Sequence, residues 1–250
     1  MARTRSRAAP GGRPGDRAGN RWPRGAQPPP EVHPSRPARR RTGRVVRRGV
    51  TTILCIDTAS DRFAIGVDRN GLVTSMEDEA RQDHSRILLP AIANLLGGDS
   101  PDAILVTIGP GAYAGIRVGI ATAEGLALAR GIPVYGIGTL EAAALATGSR
   151  DGIVIQPAGR GAFAAQRWAN GEPADSPVTA TPVDLEGKNL AGEGAGALGG
   201  IEAGARERVE ASLRDRAPRI RAGTLEIGAE AFYLREPSIT LSRRQQAAAS

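Results

Sequence analysis

Residues 52–76 read TILCIDTASDRFAIGVDRNGLVTSM, and their pattern decides the fold class. Thr52–Asp57 is a short, β-branched, apolar run ending on a carboxylate, the signature of a buried strand. Phe63–Asp68 predicts a second strand. Arg69-Asn70-Gly71 then supplies an Asn-Gly turn that folds Leu72–Met76 back, because both residues tolerate the left-handed backbone of a tight hairpin. The folded part therefore opens with three antiparallel strands.

Outward from this hairpin, helices and strands alternate. Asp83–Leu96 carries Ile87, Leu88, Ala91, Ile92, Leu95 and Leu96 at helical spacing, with Asp83 as a cap and Gly97-Gly98 as a stop. Pro90 removes an internal hydrogen bond there and predicts a kink. Asp102–Ile108 is an almost continuous apolar strand, as in a sheet covered on both faces. It enters Gly109-Pro110-Gly111, and Ile116–Ala129 predicts a helix closed by Gly131. Gly119, Ala123 and Ala127 fall at four-residue intervals on it, a small-residue stripe along which another helix can approach closely, flanked by Ile116, Ile120 and Leu128. Pro133–Ile137 reads as a strand and Leu140–Ala146 as a helix, opened by Thr139 with Glu141 in its first turn.

A second half follows with weaker signals: strands at Ile153–Gln156, Phe163–Trp168, Val178–Val183 and Leu190–Gly192, then helices at Gly200–Leu213 and Thr224–Leu234. This order, with its partly repeated copy, resembles the two ribonuclease H-like lobes of the actin/Hsp70-like (ASKHA) superfamily, an α/β fold with mixed sheets. The expected division is a tail at 1–50, a first lobe at 51–148, a second, reduced lobe at 149–237 and a frayed terminus at 238–250.

With 250 residues the chain can bury a proper core, but its charge is split. Residues 1–50 hold 14 arginines, no lysine and only Asp16 and Glu31 as acids, net +12; the 19 basic and 24 acidic residues that follow give −5. The tail is too poor in aliphatic side chains to offset the entropy of ordering it and is expected to be disordered. It reads as a solvated extension ahead of a true start at Val50, as an RNA-binding arm, or as an organellar targeting peptide. The single cysteine, Cys55, excludes an intramolecular disulfide and a cysteine-based zinc cluster. No apolar stretch approaches a membrane span, and the expected location is the cytoplasm.

Three groups could carry chemistry. Asp57-Thr58-Ala59-Ser60, at the end of the first strand, reads either as a phosphate-facing turn, its carboxylate orienting metal-bound water, or as an ordinary turn in which Asp57 accepts backbone N–H bonds. Gly109-Pro110-Gly111-Ala112-Tyr113-Ala114-Gly115-Ile116-Arg117-Val118-Gly119 permits close backbone approach and leads into free helix N–H groups, but lacks the lysine of a P-loop. Histidine is confined to His33 and His84, too few for a usual metal centre. Ser85 beside His84 is a sequence neighbour with no evident acid and no GxSxG elbow, so neither catalytic nor metal residues are assigned.

Taken as whole strings, ILCIDTA, His84-Ser85-Arg86-Ile87-Leu88-Leu89-Pro90, the glycine-loop stretch with its following helix and strand, and Phe232-Tyr233-Leu234-Arg235-Glu236-Pro237 resemble the TsaB (YeaZ) family's strand opening, HSxxLLP, GPGSFTGIRIG and YLRxP. Ala112, Tyr113 and Ala114 replace that signature's Ser, Phe and Thr, and Pro157–Ala164 replaces an acidic DARRGEVY segment. The resemblance implies a non-catalytic paralogue and activator of TsaD, which itself uses a histidine pair with a metal. In that setting the ATPase TsaE also takes part, TsaC-type enzymes make the threonylcarbamoyl-adenylate donor, and the group is transferred to the adenosine beside the tRNA anticodon. No cofactor is assigned to this chain, ATP belonging to the complex, and tRNA is met indirectly. The implied partner surface is His84, Ser85, Leu88, Leu89, Ile92, Ile116, Gly119, Ala123 and Ala127, which would also form a homodimer when TsaD is absent. The plainer reading of that stripe is interior packing. The nucleotide-facing candidates are Asp57, Thr58, Gly109, Gly111, Gly115 and Arg117, and the rival function is a stand-alone ATPase or kinase built on Asp57 and the Gly109–Gly115 loop.

Overall fold

The predicted hairpin forms β1 (Thr52–Asp57), β2 (Arg62–Arg69) and β3 (Leu72–Glu79), paired antiparallel with Ile53 opposite Asp68 and Asp68 opposite Val73. The computed structural model describes residues 49–79 and 84–234; the side chains of His84 and Ser85, the expected cap Asp83, the tail and the chain from Arg235 lie outside the described residues. Asn70 takes the left-handed conformation at φ 53°, and Gly71 follows at φ 95°, as the Asn-Gly turn requires.

α1 (His84–Leu96), β4 (Ala103–Thr107), α2 (Tyr113–Arg130), β5 (Val134–Ile137) and α3 (Thr139–Thr147) complete the first half. β4 runs parallel to β1 and β5 parallel to β4, giving a mixed sheet of order β3-β2-β1-β4-β5. Pro90 does not end α1, which continues through it with the ring on the exposed side. The second half, β6 (Gly152–Pro157), β7 (Phe163–Ala169), β8 (Glu172–Pro173), β9 (Val178–Ala180), α4 (Pro182–Leu185), β10 (Leu190–Gly192) and β11 (Ile201–Glu202), forms a sheet of order β11-β10-β6-β7-β8, with β9 also on β7. It repeats the first topology in reduced form: an antiparallel β6-β7 hairpin with β10 and β11 added parallel. Its crossover elements have shrunk to the four-residue α4 and one 3₁₀ turn at Gly196–Leu198.

Three sequence expectations are corrected. The helix expected at 200–213 is α5, Ala205–Ala222, which runs nine residues further, through Pro218, to a left-handed Gly223. Thr224–Leu234, expected to be helical, is irregular, with one isolated parallel bridge from Gly228 to Tyr135 of the edge strand β5. Gly228 N–H donates to Val134 O at 2.9 Å, and Phe232 N–H donates to Ile108 O at 2.7 Å just past the end of β4. An open strand edge leaves backbone groups unpaired, and covering it outweighs the weak local helical preference. Val178–Val183, expected as one strand, splits into β9 and the start of α4, where Thr181 and Asp184 form a capping box and Pro182 opens the turn.

Burial explains the strand composition. On one face of the first sheet Leu54, Ile56, Val67, Ile104 and Val106 pack under α1 and α2; on the other Ile53, Cys55, Ala64, Leu105, Tyr135 and Ile137 pack under α3 and α5. α3 is buried on two sides because it also faces the second sheet, where Leu140, Ala143 and Ala144 meet Val154, Ala164 and Trp168. α5, which follows the second sheet in the chain, closes the first.

Candidate functional site

The carboxyl ends of β1 and β4 meet the β6–β7 turn and the loop after β10 around a cleft of about 570 Å³, lined by Ser60, Asp61, Gly111, Tyr113, Pro157, Arg160, Glu193 and Tyr233 among others. At its mouth the rings of Tyr113 and Tyr233 lie 4.8 Å apart, and Arg117 donates from Nη1 to Tyr113 Oη at 2.9 Å. Arg117, expected to face a nucleotide, thus lies exposed on α2 beside a tyrosine.

Beneath the cleft, Asp57 is fully buried and both of its oxygens are engaged. Oδ1 accepts the Ala59 N–H at 2.9 Å, and Oδ2 accepts from Arg208 Nε at 2.7 Å. The turn therefore has the ordinary backbone-bonded form, with a buried arginine added. Arg208 itself is 0% exposed; its Nη1 reaches Glu193 Oε2 at 2.7 Å and Gln156 Oε1 at 3.1 Å, and its Nη2 reaches Ser60 Oγ at 3.3 Å. Gln156 Nε2 donates in turn to Glu193 Oε2 at 3.0 Å. Desolvation by itself lowers the pKa of this guanidinium, yet the carboxylates of Asp57 and then Glu193 overcome it and hold the value above its ordinary level. The charge is permanent.

The glycine loop has a packing explanation. A Cβ at Gly111 would strike Ala59 O, at Gly115 Thr58 O, and at Gly119 Thr58 Oγ1. The three glycines at four-residue intervals let the start of α2 lie directly on the turn after β1, and Thr58, fully buried, donates its hydroxyl to Gly115 O at 2.8 Å. Ala112 N–H to Ala59 O at 2.7 Å completes the seam. Gly109, at φ 107°, sits against Phe232 O of the returning segment. Asp57, Thr58, Gly109, Gly111 and Gly115 are thus brought together, but Asp57 and Thr58 point into protein contacts.

The expected partner stripe also faces inward. Ile116, Gly119, Ala123 and Ala127 are buried against the chain's own sheet, as are Leu88 and Ile92 of α1. Leu89 is 49% exposed and Leu128 86%; with Ala121, Glu124 and Gly125 they form the outer side of the same two helices. Arg208 and Glu193 were not singled out from sequence. The signal was an arginine inside the stripe of small and apolar residues Ala205, Val209, Ser212, Leu213, Ala217 and Ile220.

Residues 76–169 match the family model described as TsaD, tRNA N6-adenosine threonylcarbamoyltransferase. The tRNA threonylcarbamoyladenosine biosynthesis protein TsaB of Escherichia coli K12 is 33% identical over 93 residues, 35% of this chain and 40% of that protein. A protein of Mycobacterium tuberculosis H37Rv, carried there as uncharacterised, is 30% identical over 155 residues, 58% of this chain and 73% of the relative. The fold aligns with YeaZ from Pseudomonas aeruginosa at TM-score 0.56 and 22% identity, over 74% of this chain and all of that one. The named sequence relatives are TsaB proteins, and the chain shares the fold of YeaZ. It spans 40 to 44% of the TsaB relatives it matches in Escherichia coli, Haemophilus influenzae and Buchnera aphidicola. The chain has the expected α/β architecture with two mixed sheets, the fold it shares with YeaZ. Among the described residues no helix is long and apolar enough to cross a membrane, and no group of three or more His, Cys, Asp and Glu side chains is arranged to hold a metal.

Proposed function

We propose that this chain serves threonylcarbamoyladenosine synthesis on tRNA as a non-catalytic subunit, a partner and activator of TsaD. The observation that carries the reading is the state of Asp57: the one carboxylate at the end of the first strand is fully buried, Oδ2 paired with the Arg208 guanidinium and Oδ1 taken by the Ala59 N–H, so a cation of the protein's own already stands where a metal-bound water would have to sit. Names of the TsaB relatives support the pathway. The surface offered to TsaD is the outer side of α1 and α2, where Leu89, Ala121, Gly125 and Leu128 are apolar or small and exposed, so that helices of a second chain can approach closely. The same side would pair two copies when TsaD is absent. ATP enters through TsaE in the assembled complex.

The test is co-purification of the full chain with TsaD from its own source, followed by measurement of modified tRNA with and without the chain. Dependence of the modification on the chain, with no ATP turnover by the chain alone, is expected. ATP hydrolysis by the isolated protein, lost on Asp57→Ala, would instead establish the stand-alone ATPase.

A further inference from the structure

Asp57 Oδ2, Glu193 Oε2 and Gln156 Oε1, from β1, the loop after β10 and β6, surround the guanidinium of Arg208, the first at 2.7 Å from Nε and the other two at 2.7 and 3.1 Å from Nη1. Two carboxylates and an amide carbonyl are a hard oxygen set of net charge −2, the kind that with a few waters holds a small divalent cation. A nucleotide-binding reading of the fold would place a metal at this strand end, but the residues do not fit one, since a side chain of the protein's own already neutralises the carboxylates. We infer that this is a cation site filled from within, Arg208 standing in for a divalent ion. The same guanidinium ties β1 of the first sheet to β6 and Glu193 of the second, so its occupancy also holds the two sheets together. The inference concerns the floor of the cleft and stands whether or not the chain partners TsaD.

Removing the guanidinium leaves two carboxylates facing a vacated, largely buried space, which is strongly unfavourable unless another cation enters. The experiment compares the full-length wild type with Arg208→Ala and with the double variant Arg208→Ala/Asp57→Asn, titrated with MnCl₂ and read by electron paramagnetic resonance and thermal melting. Arg208→Ala should retain about one Mn²⁺ per chain, at least about tenfold more tightly than the double variant, and its melting point should rise by several degrees in Mn²⁺. Wild type should do neither. Folded Arg208→Ala that binds no Mn²⁺ beyond the double variant, or wild type that binds as much, overturns the inference. Where Arg208→Ala does not fold unaided, it is refolded in MnCl₂, in millimolar guanidinium, or in NaCl of matched ionic strength. Recovery in the first two only supports the site, and recovery in none or equally in all three overturns it.

Discussion

A methyl group at Gly115 would strike Thr58 O, a backbone atom in a turn held by the Thr58 hydroxyl and by Ala59 N–H to Asp57. Because backbone must give way rather than a flexible side chain, Gly115→Ala should lose about 1–3 kcal/mol in urea unfolding. A loss under roughly 0.5 kcal/mol would mean that the seam yields and that these glycines serve something other than packing. That the glycines of this loop permit close backbone approach was legible from the sequence; that they meet a turn and not a phosphate was not, because the contact joins residues more than fifty positions apart. Cys55, buried under α5, has its thiol pKa pushed well up by desolvation and then by the charge of Asp57. The folded chain keeps this proton when the unfolded chain releases it, so the stabilisation is complete below about pH 8.5 and falls as pH rises above that. Unfolding measured from pH 7 to 10 should show a steeper alkaline loss in wild type than in Cys55→Ala; parallel curves would rule the thiol out as the cause.

At the scale of elements, α2 separates two readings of small residues. Ala123 is wholly buried against the sheet and Leu128 is 86% exposed, five residues away on the same helix. Ala123→Arg places an unpaired charge in the core and should abolish soluble folded protein, a loss on the order of 3 kcal/mol or more. Leu128→Arg should leave the melting curve within about 0.5 kcal/mol of wild type yet weaken co-purification with TsaD. Folded, TsaD-binding Ala123→Arg would contradict the burial, and unchanged binding by Leu128→Arg would remove the outer side of α2 from the proposed interface. Helical periodicity located α2 and its stripe, but Gly, Ala and Leu occur on both of its sides, and only contact with β4 tells which side is inner. Local pattern failed for Thr224–Leu234, where a free sheet edge recruits the backbone.

For the whole molecule, α5 is the decisive piece: encoded after the second sheet, it buries Val209, Leu213, Ala217 and Ile220 on the first. A chain of residues 49–148 lacks this cover and leaves Ile53, Cys55, Ala64 and Leu105 on a solvent face. It should therefore give a collapsed, poorly dispersed NMR spectrum, whereas a well-dispersed one would show the first lobe to be an independent domain. Strand alternation, the Asn-Gly turn and the apolar run of β4 determined an α/β chain opening on a hairpin by themselves, since each is a short-range pattern whose physics is local. Which residues face the cleft, which face of α2 lies outward and what neutralises Asp57 were decided only in three dimensions. Arg208 stands 151 positions from its carboxylate partner, and no local pattern records a pairing across that distance.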